Sequence, residues 1–309
     1  MKNSIPHSAT VVPPDPPRRS YAHPWVSLSV FLVAALLIGG YIFREQSQAL
    51  VERLPGLTQS LLTKQVLYFV LVGFAAQIVD GALGMAYGIS STSILLGMGI
   101  SPALASASVH VSEVFTTGIS GLSHLRLGNV NRRLFRSLVL PGVVGAVAGA
   151  YVLTNLNEQI IKPFVAVYLL IMGIVVLRKA FRPQPENPSR AWRHIPRLAL
   201  FGGFLDAVGG GGWGPIVAST LLTKGHLPRF TIGSVNLAEF FVAVAGAGTF
   251  VALIGAGNWQ IIAGLVIGGS LAAPFAARLA RKFSTQTLLV LVGSVVILLS
   301  LRTLFLFFW

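Results

Sequence analysis

Apolar stretches of bilayer length dominate this chain, and they decide what it can fold into. After an apolar run at 25–43 they cover roughly 65–98, 103–124, 134–153, 160–180, 197–222, 229–254, 259–280 and 286–308. Crossing a hydrocarbon core takes about 20 apolar residues. Within lipid each backbone polar group needs an internal partner, which favours helices for segments of this kind. Charged residues make up only 10% of the chain, against about 25% in an ordinary soluble domain. That is too little charge to cover a water-facing surface, so the expected fold is an all-α integral membrane protein. Six of the eight stretches fit one crossing. The exceptions, 65–98 and 197–222, are each interrupted by small residues.

Residues 1–24 are polar and rich in proline, as expected of a disordered cytoplasmic tail. Arg18 and Arg19 precede an apolar run, as in a twin-arginine signal. However, 25–43 is long enough to span and no small-residue cleavage site follows, so an extra transmembrane helix is expected. The absence of cysteine excludes disulfides, cysteine-based metal centres and a thiol relay. The net charge of +14 would suggest nucleic acid in a soluble protein. Here the basic residues fall between apolar segments, the pattern of positive-inside loops, and no nucleic-acid partner is expected.

The two interrupted stretches are related. Setting Asp80 on Asp206, an offset of 126, matches 11 of 34 positions without a gap as far as Glu113 on Glu239. The identities include Gly84/Gly210, Gly88/Gly214, Ser93/Ser219, Gly99/Gly225, Pro102/Pro228 and Ser108/Ser234, and Tyr87 falls on Trp213. Apolar composition alone does not match two carboxylates at one separation, so the chain carries an internal repeat. The expected layout is a first transport repeat over 65–180 and a second over 197–308.

Charge then suggests topology. Basic residues crowd 125–136 and 178–197, with smaller groups at 223–229 and 278–282, while the connections near 154–160 and 254–258 carry almost none. With a cytoplasmic N-terminus and each interrupted stretch folded as a hairpin returning to its own side, all four basic connections lie inside. A single straight helix over 65–98 would measure ~50 Å, too long for a ~30 Å core. Each repeat is then a broken-helix hairpin plus three crossings, and this odd number inverts one half relative to the other.

Four of the nine acidic residues, Asp80, Glu113, Asp206 and Glu239, lie inside apolar stretches. Each costs about 2.5–3.5 kcal/mol to insert, so the set must be paired, protonated or hydrated. They are candidates for proton coupling. The alternative is that they cap helix starts and brace the hairpins. The glycine runs 81–88 and 209–214 suit helix breaks, where freed N–H groups and a new helix start can bind an anion. Close helix packing is the competing use of such glycines. On this reading the substrate-binding candidates are Gly84, Tyr87, Gly88, Ser93, Gly210, Gly211, Gly212, Trp213, Gly214 and Ser219. His110 and Asn236, each three residues before its glutamate on one helix face, join them. No cofactor is expected.

At these residues the chain resembles the TauE/SafE family of sulfite and sulfonate exporters, also known as the 4-toluene sulfonate uptake permease family. The resemblance covers about 65–308 and rests on the duplicated hairpins, on the glycine run ending Trp213-Gly214-Pro215, and on the paired Ser-Val-(His/Asn)-x-x-Glu segments at 108–113 and 234–239. It implies a cell-membrane permease for sulfur-containing anions, proton-linked, with a small anion, protons and lipid as its partners. Two other readings stand beside it. One is a divalent metal-cation transporter using Asp80, Glu113, Asp206, Glu239 and His110, since carboxylates suit hard cations. The other is a non-transporting assembly protein, with its repeat interface packed shut. No nucleophile–base motif points to an enzyme.

Overall fold

The computed structural model describes residues 64–83, 85–181, 194–255, 259–279 and 284–309, all within one compact unit, Ala49–Trp309. The expected tail at 1–24, the extra helix at 25–43 and Gly84 lie outside the described residues. No strand occurs among those described. The helices are α1 (Lys64–Leu83), α2 (Tyr87–Gly97), α3 (Pro102–Arg126), α4 (Arg132–Asn155), α5 (Glu158–Lys179), α6 (Ile195–Gly209), a π-helical turn (Trp213–Ala218) running into α7 (Ser219–Thr223), α8 (Pro228–Ile254), α9 (Trp259–Leu279) and α10 (Thr285–Phe308). All six segments expected as single crossings are helices, and both interrupted stretches break.

Local signals set the boundaries. Ser101, Asn131, Asn157 and Ser284 each accept a backbone N–H from the first turn of the helix that follows, as side-chain caps do. Pro102 and Pro228 open α3 and α8, where a missing N–H costs nothing. Gly99 and Gly225, at φ 90° and 81°, make the left-handed turns before those prolines, a conformation that favours glycine. The offset of 126 carries the end of α1 onto the end of α6, and the start of α2 onto the start of the π turn. It also carries the end of α2 onto the end of α7 and the start of α3 onto the start of α8.

In space the halves interleave. α1 packs mainly on α9, and α4 mainly on α6, which are corresponding pairs with the halves exchanged. α3 packs on α8 and α5 on α10, each helix against its own counterpart. Small residues make the crossed contacts close, as is common between membrane helices. A methyl group on Gly145 would run into the Leu200 carbonyl, and one on Gly203 into Gly142. Gly268 meets the Val70 carbonyl in the same way.

The polarity is inside out. Ile119, Leu140 and Phe164 face outward at 68%, 71% and 67% exposure, while Ser91, Ser106, His110, Ser112 and Thr231 are wholly buried. Among the described residues, α4, α5, α8 and α10 are long and apolar enough to cross a membrane. The apolar cores of α1 and α9 are shorter, and α3 carries His110 and Glu113 on its buried face. This is a multi-pass membrane protein. Gly145→Leu is expected to lower the unfolding midpoint in detergent, by an amount equivalent to about 1–3 kcal/mol of overpacking. Gly97→Ala, whose added carbon meets Leu299 at an ordinary 3.4 Å, is expected to leave the midpoint unchanged. Differential scanning fluorimetry checks both.

Candidate functional site

Each interrupted stretch breaks just after an aspartate. The Asp80 carboxylate accepts the N–H of Tyr87 at 3.2 Å, at the start of α2. In the second half, Asp206 Oδ1 accepts the N–H groups of Gly212 at 2.6 Å and Trp213 at 2.9 Å, at the start of the π turn. Tyr87 and Trp213 are repeat-related, so one device is built twice: a carboxylate ending one helix caps the next. It meets donors that a helix start would otherwise leave unpaired. The N–H groups of Gly88 and Ile89 remain, ahead of the first helical bond of α2 from Ser90 to Ala86. Ala86 itself has φ 93°, which costs a residue with a side chain about 1–2 kcal/mol.

The two breaks touch each other. Gly88 lies against Gly211, so closely that a methyl group on either would strike the other's backbone. Met85 lies against Gly214. Since 85 corresponds to 211 and 88 to 214, these are a single contact made in both directions. Around it, Thr92 donates its hydroxyl to the Gly210 carbonyl and Tyr168 donates to the Gly211 carbonyl at 3.0 Å.

A cavity of about 330 Å³ opens beside the breaks. All four membrane carboxylates line it, together with Tyr87, Gly88, Gly211, Gly212, Gly214 and Asn236. Glu113 is buried at 3% exposure, and among the described residues no lysine or arginine lines the cavity. The remaining candidates sit behind the wall. Gly210 accepts from Thr92. The Trp213 indole donates to the Val235 carbonyl at 3.2 Å. Ser93 is buried in α2 at 2% exposure, and Ser219 receives the Lys179 ammonium at 3.0 Å. His110 is fully buried against Gly246 and Phe250, with Nε2 3.4 Å from Asp206 Oδ2. The interface packed shut that an assembly protein would need is not what surrounds these residues.

Among the described residues one group could hold a metal: His110, Glu113 and Asp206, with one ligand atom from each lying within 4.8 Å of the others. Asp80 and Glu239, expected as ligands in the cation reading, are outside this group.

Several lining residues went unremarked in the sequence. Gln77 precedes Asp80 by three positions. Thr117, Ser120 and His124 follow Glu113 at four, seven and eleven positions, along one helix face. That spacing was a usable signal. The corresponding residues of α8 are Ala243, Gly246 and Phe250, so the polar face belongs to the first half only. Tyr168 and Lys179 gave no signal, because they reach the breaks from α5, outside the interrupted stretches.

The family described as "Sulfite exporter TauE/SafE" matches residues 69–303. Two Bacillus subtilis proteins are similar. "Probable membrane transporter protein YtnM" is 44% identical over 250 residues, 78% of this chain and 83% of that protein. "Probable membrane transporter protein YjnA" is 21% identical over 248 residues, 75% and 97% of the two chains. A Sinorhizobium protein, "Probable membrane transporter protein ORF9", is 26% identical over 193 residues, 62% of this chain and 69% of its own length. No solved structure matches the chain significantly. With two breaks meeting at a buried, acid-lined cavity, and with a family match spanning both halves, the chain belongs to the TauE/SafE family of membrane transporters.

Proposed function

We propose that this transporter moves a small sulfur-containing anion, sulfite or an organosulfonate, across the cell membrane together with protons. The observation that carries the reading is the cavity, where two helix starts and four carboxylates share one wall. The helix starts bring N–H donors and positive dipole ends, and Asn236 adds a side-chain amide. The description of the matched family, a sulfite exporter, supports the choice of anion.

The carboxylates decide the coupling. A monoanion about 5 Å from one ionised carboxylate is opposed by about 3 kcal/mol at an effective dielectric near 20. Among the described residues, no lining lysine or arginine offsets this. Anion entry therefore requires protons on Glu113, Glu239 or their neighbours, and the anion and protons travel as a set. The two halves lie inverted in the membrane with the N-terminus cytoplasmic, and alternating access comes from rocking one half against the other.

Two experiments test this reading. Binding of methanesulfonate, whose own charge does not change near neutral pH, is expected to tighten as pH falls, by up to about tenfold per unit for one linked proton. Glu113→Gln with Glu239→Gln is expected to flatten that slope while keeping the anion bound. An unchanged slope in this variant would assign the protons elsewhere, and no binding by the wild-type protein at any pH would sink the anion reading. For topology, the cysteine-free chain permits single-cysteine labelling at exposed loop positions. In intact cells an impermeant maleimide is expected to label Leu156→Cys and to spare Leu127→Cys, and the reverse pattern would invert the orientation.

A further inference from the structure

The three residues where α3 meets the second break share a feature that proton coupling does not explain. Each is braced through one atom or its backbone, and each points an unsatisfied atom into the same small space. His110 Nδ1 lies 2.9 Å from the Ser106 carbonyl. A carbonyl only accepts, and the Ser106 hydroxyl is already donated to the Ala207 carbonyl at 2.6 Å, so Nδ1 carries the hydrogen. Asp206 Oδ1 holds two backbone N–H groups. The Glu113 carbonyl takes the hydroxyl of Thr117, which fixes the turn that presents its side chain. Among the described residues, His110 Nε2, Asp206 Oδ2 and Glu113 Oε2 have no hydrogen-bond partner. Their residues are 0%, 2% and 3% exposed.

We infer that His110 Nε2, Glu113 Oε2 and Asp206 Oδ2 form a binding site for one divalent transition-metal cation, such as Zn²⁺. The chemistry fits at each ligand. An imidazole with one nitrogen donating to a backbone carbonyl presents its other nitrogen as a lone pair, the usual arrangement of a metal-bound histidine. Facing a carboxylate oxygen at 3.4 Å, that lone pair is repelled until a cation lies between them. One imidazole and two carboxylates match zinc-type coordination with a fourth position open. Glu113 and Asp206 line the cavity, so water can fill that position. A nitrogen ligand argues against alkali and alkaline-earth cations, which take oxygen. The cation would neutralise Glu113 and Asp206 and tie α3 to the second break, leaving Glu239 and Asp80 as the lining carboxylates that take up protons in the proposed transport. It is a resident ion rather than cargo, because all three ligands are buried and held from behind.

The test is metal binding by the full-length protein in detergent, with ZnCl₂ as the probe and no sulfur anion present, so it is read independently of transport. After stripping with chelator and titration by calorimetry, the wild-type protein is expected to bind one Zn²⁺ and to unfold at a higher temperature when loaded. His110→Gln and Glu113→Gln are each expected to weaken binding at least about tenfold, while Glu158→Gln, at the exposed start of α5, binds as the wild type does. Glu113→Gln keeps the side-chain volume, so it serves if His110→Gln does not fold. Absence of stoichiometric Zn²⁺ in the wild-type protein, or undiminished binding by both ligand variants, overturns the inference and leaves a proton shared between His110 and Asp206.

Discussion

The structure depends on how a broken helix survives inside a membrane. A break leaves the first N–H groups of the new helix without partners, and hydrocarbon offers none. Asp80 and Asp206 answer this with carboxylates placed at the end of the preceding helix. The same bonds ease the burial of the aspartates, because an ionised carboxylate at this depth needs donors as much as the donors need it. Once both breaks are satisfied locally, their backbones are free to meet, and Gly88 can lie on Gly211.

That arrangement revises the simplest view of the glycine runs as a ready supply of donors. Three of the N–H groups freed by the breaks are already committed to the chain's own aspartates. Of the rest of the first turn, Gly88 and Ile89 are packed against Gly211 of the other break. The cavity is more negative than glycine spacing suggests, because Glu113 and Glu239 join the two aspartates along it. The aspartates are needed to hold the breaks in shape whatever else they do.

Much of the fold was legible because the membrane makes secondary structure a matter of length and apolarity. The register was legible because carboxylates, glycines and prolines sit at matching places: Asp80 with Asp206, Gly99 with Gly225, Pro102 with Pro228. The pairing of α1 with α9 and α4 with α6 was not, since a repeat read along one chain says nothing of which half a helix packs against. Among site residues, those on the breaks and on the inward faces of α3 and α8 could be found from spacing. Ser93 and Ser219 look equivalent in the sequence, yet one is sealed in α2 and the other is taken by Lys179. Three-dimensional approach from a third helix decides that, and no periodicity records it.

The unequal faces of α3 and α8 carry a consequence of their own. Duplicated halves begin as equivalents. Here one copy keeps Thr117, Ser120 and His124 along the cavity, where the other has Ala243, Gly246 and Phe250. The duplication has thus diverged: the first copy turns polar side chains to the cavity, where the second packs Gly246 and Phe250 against His110.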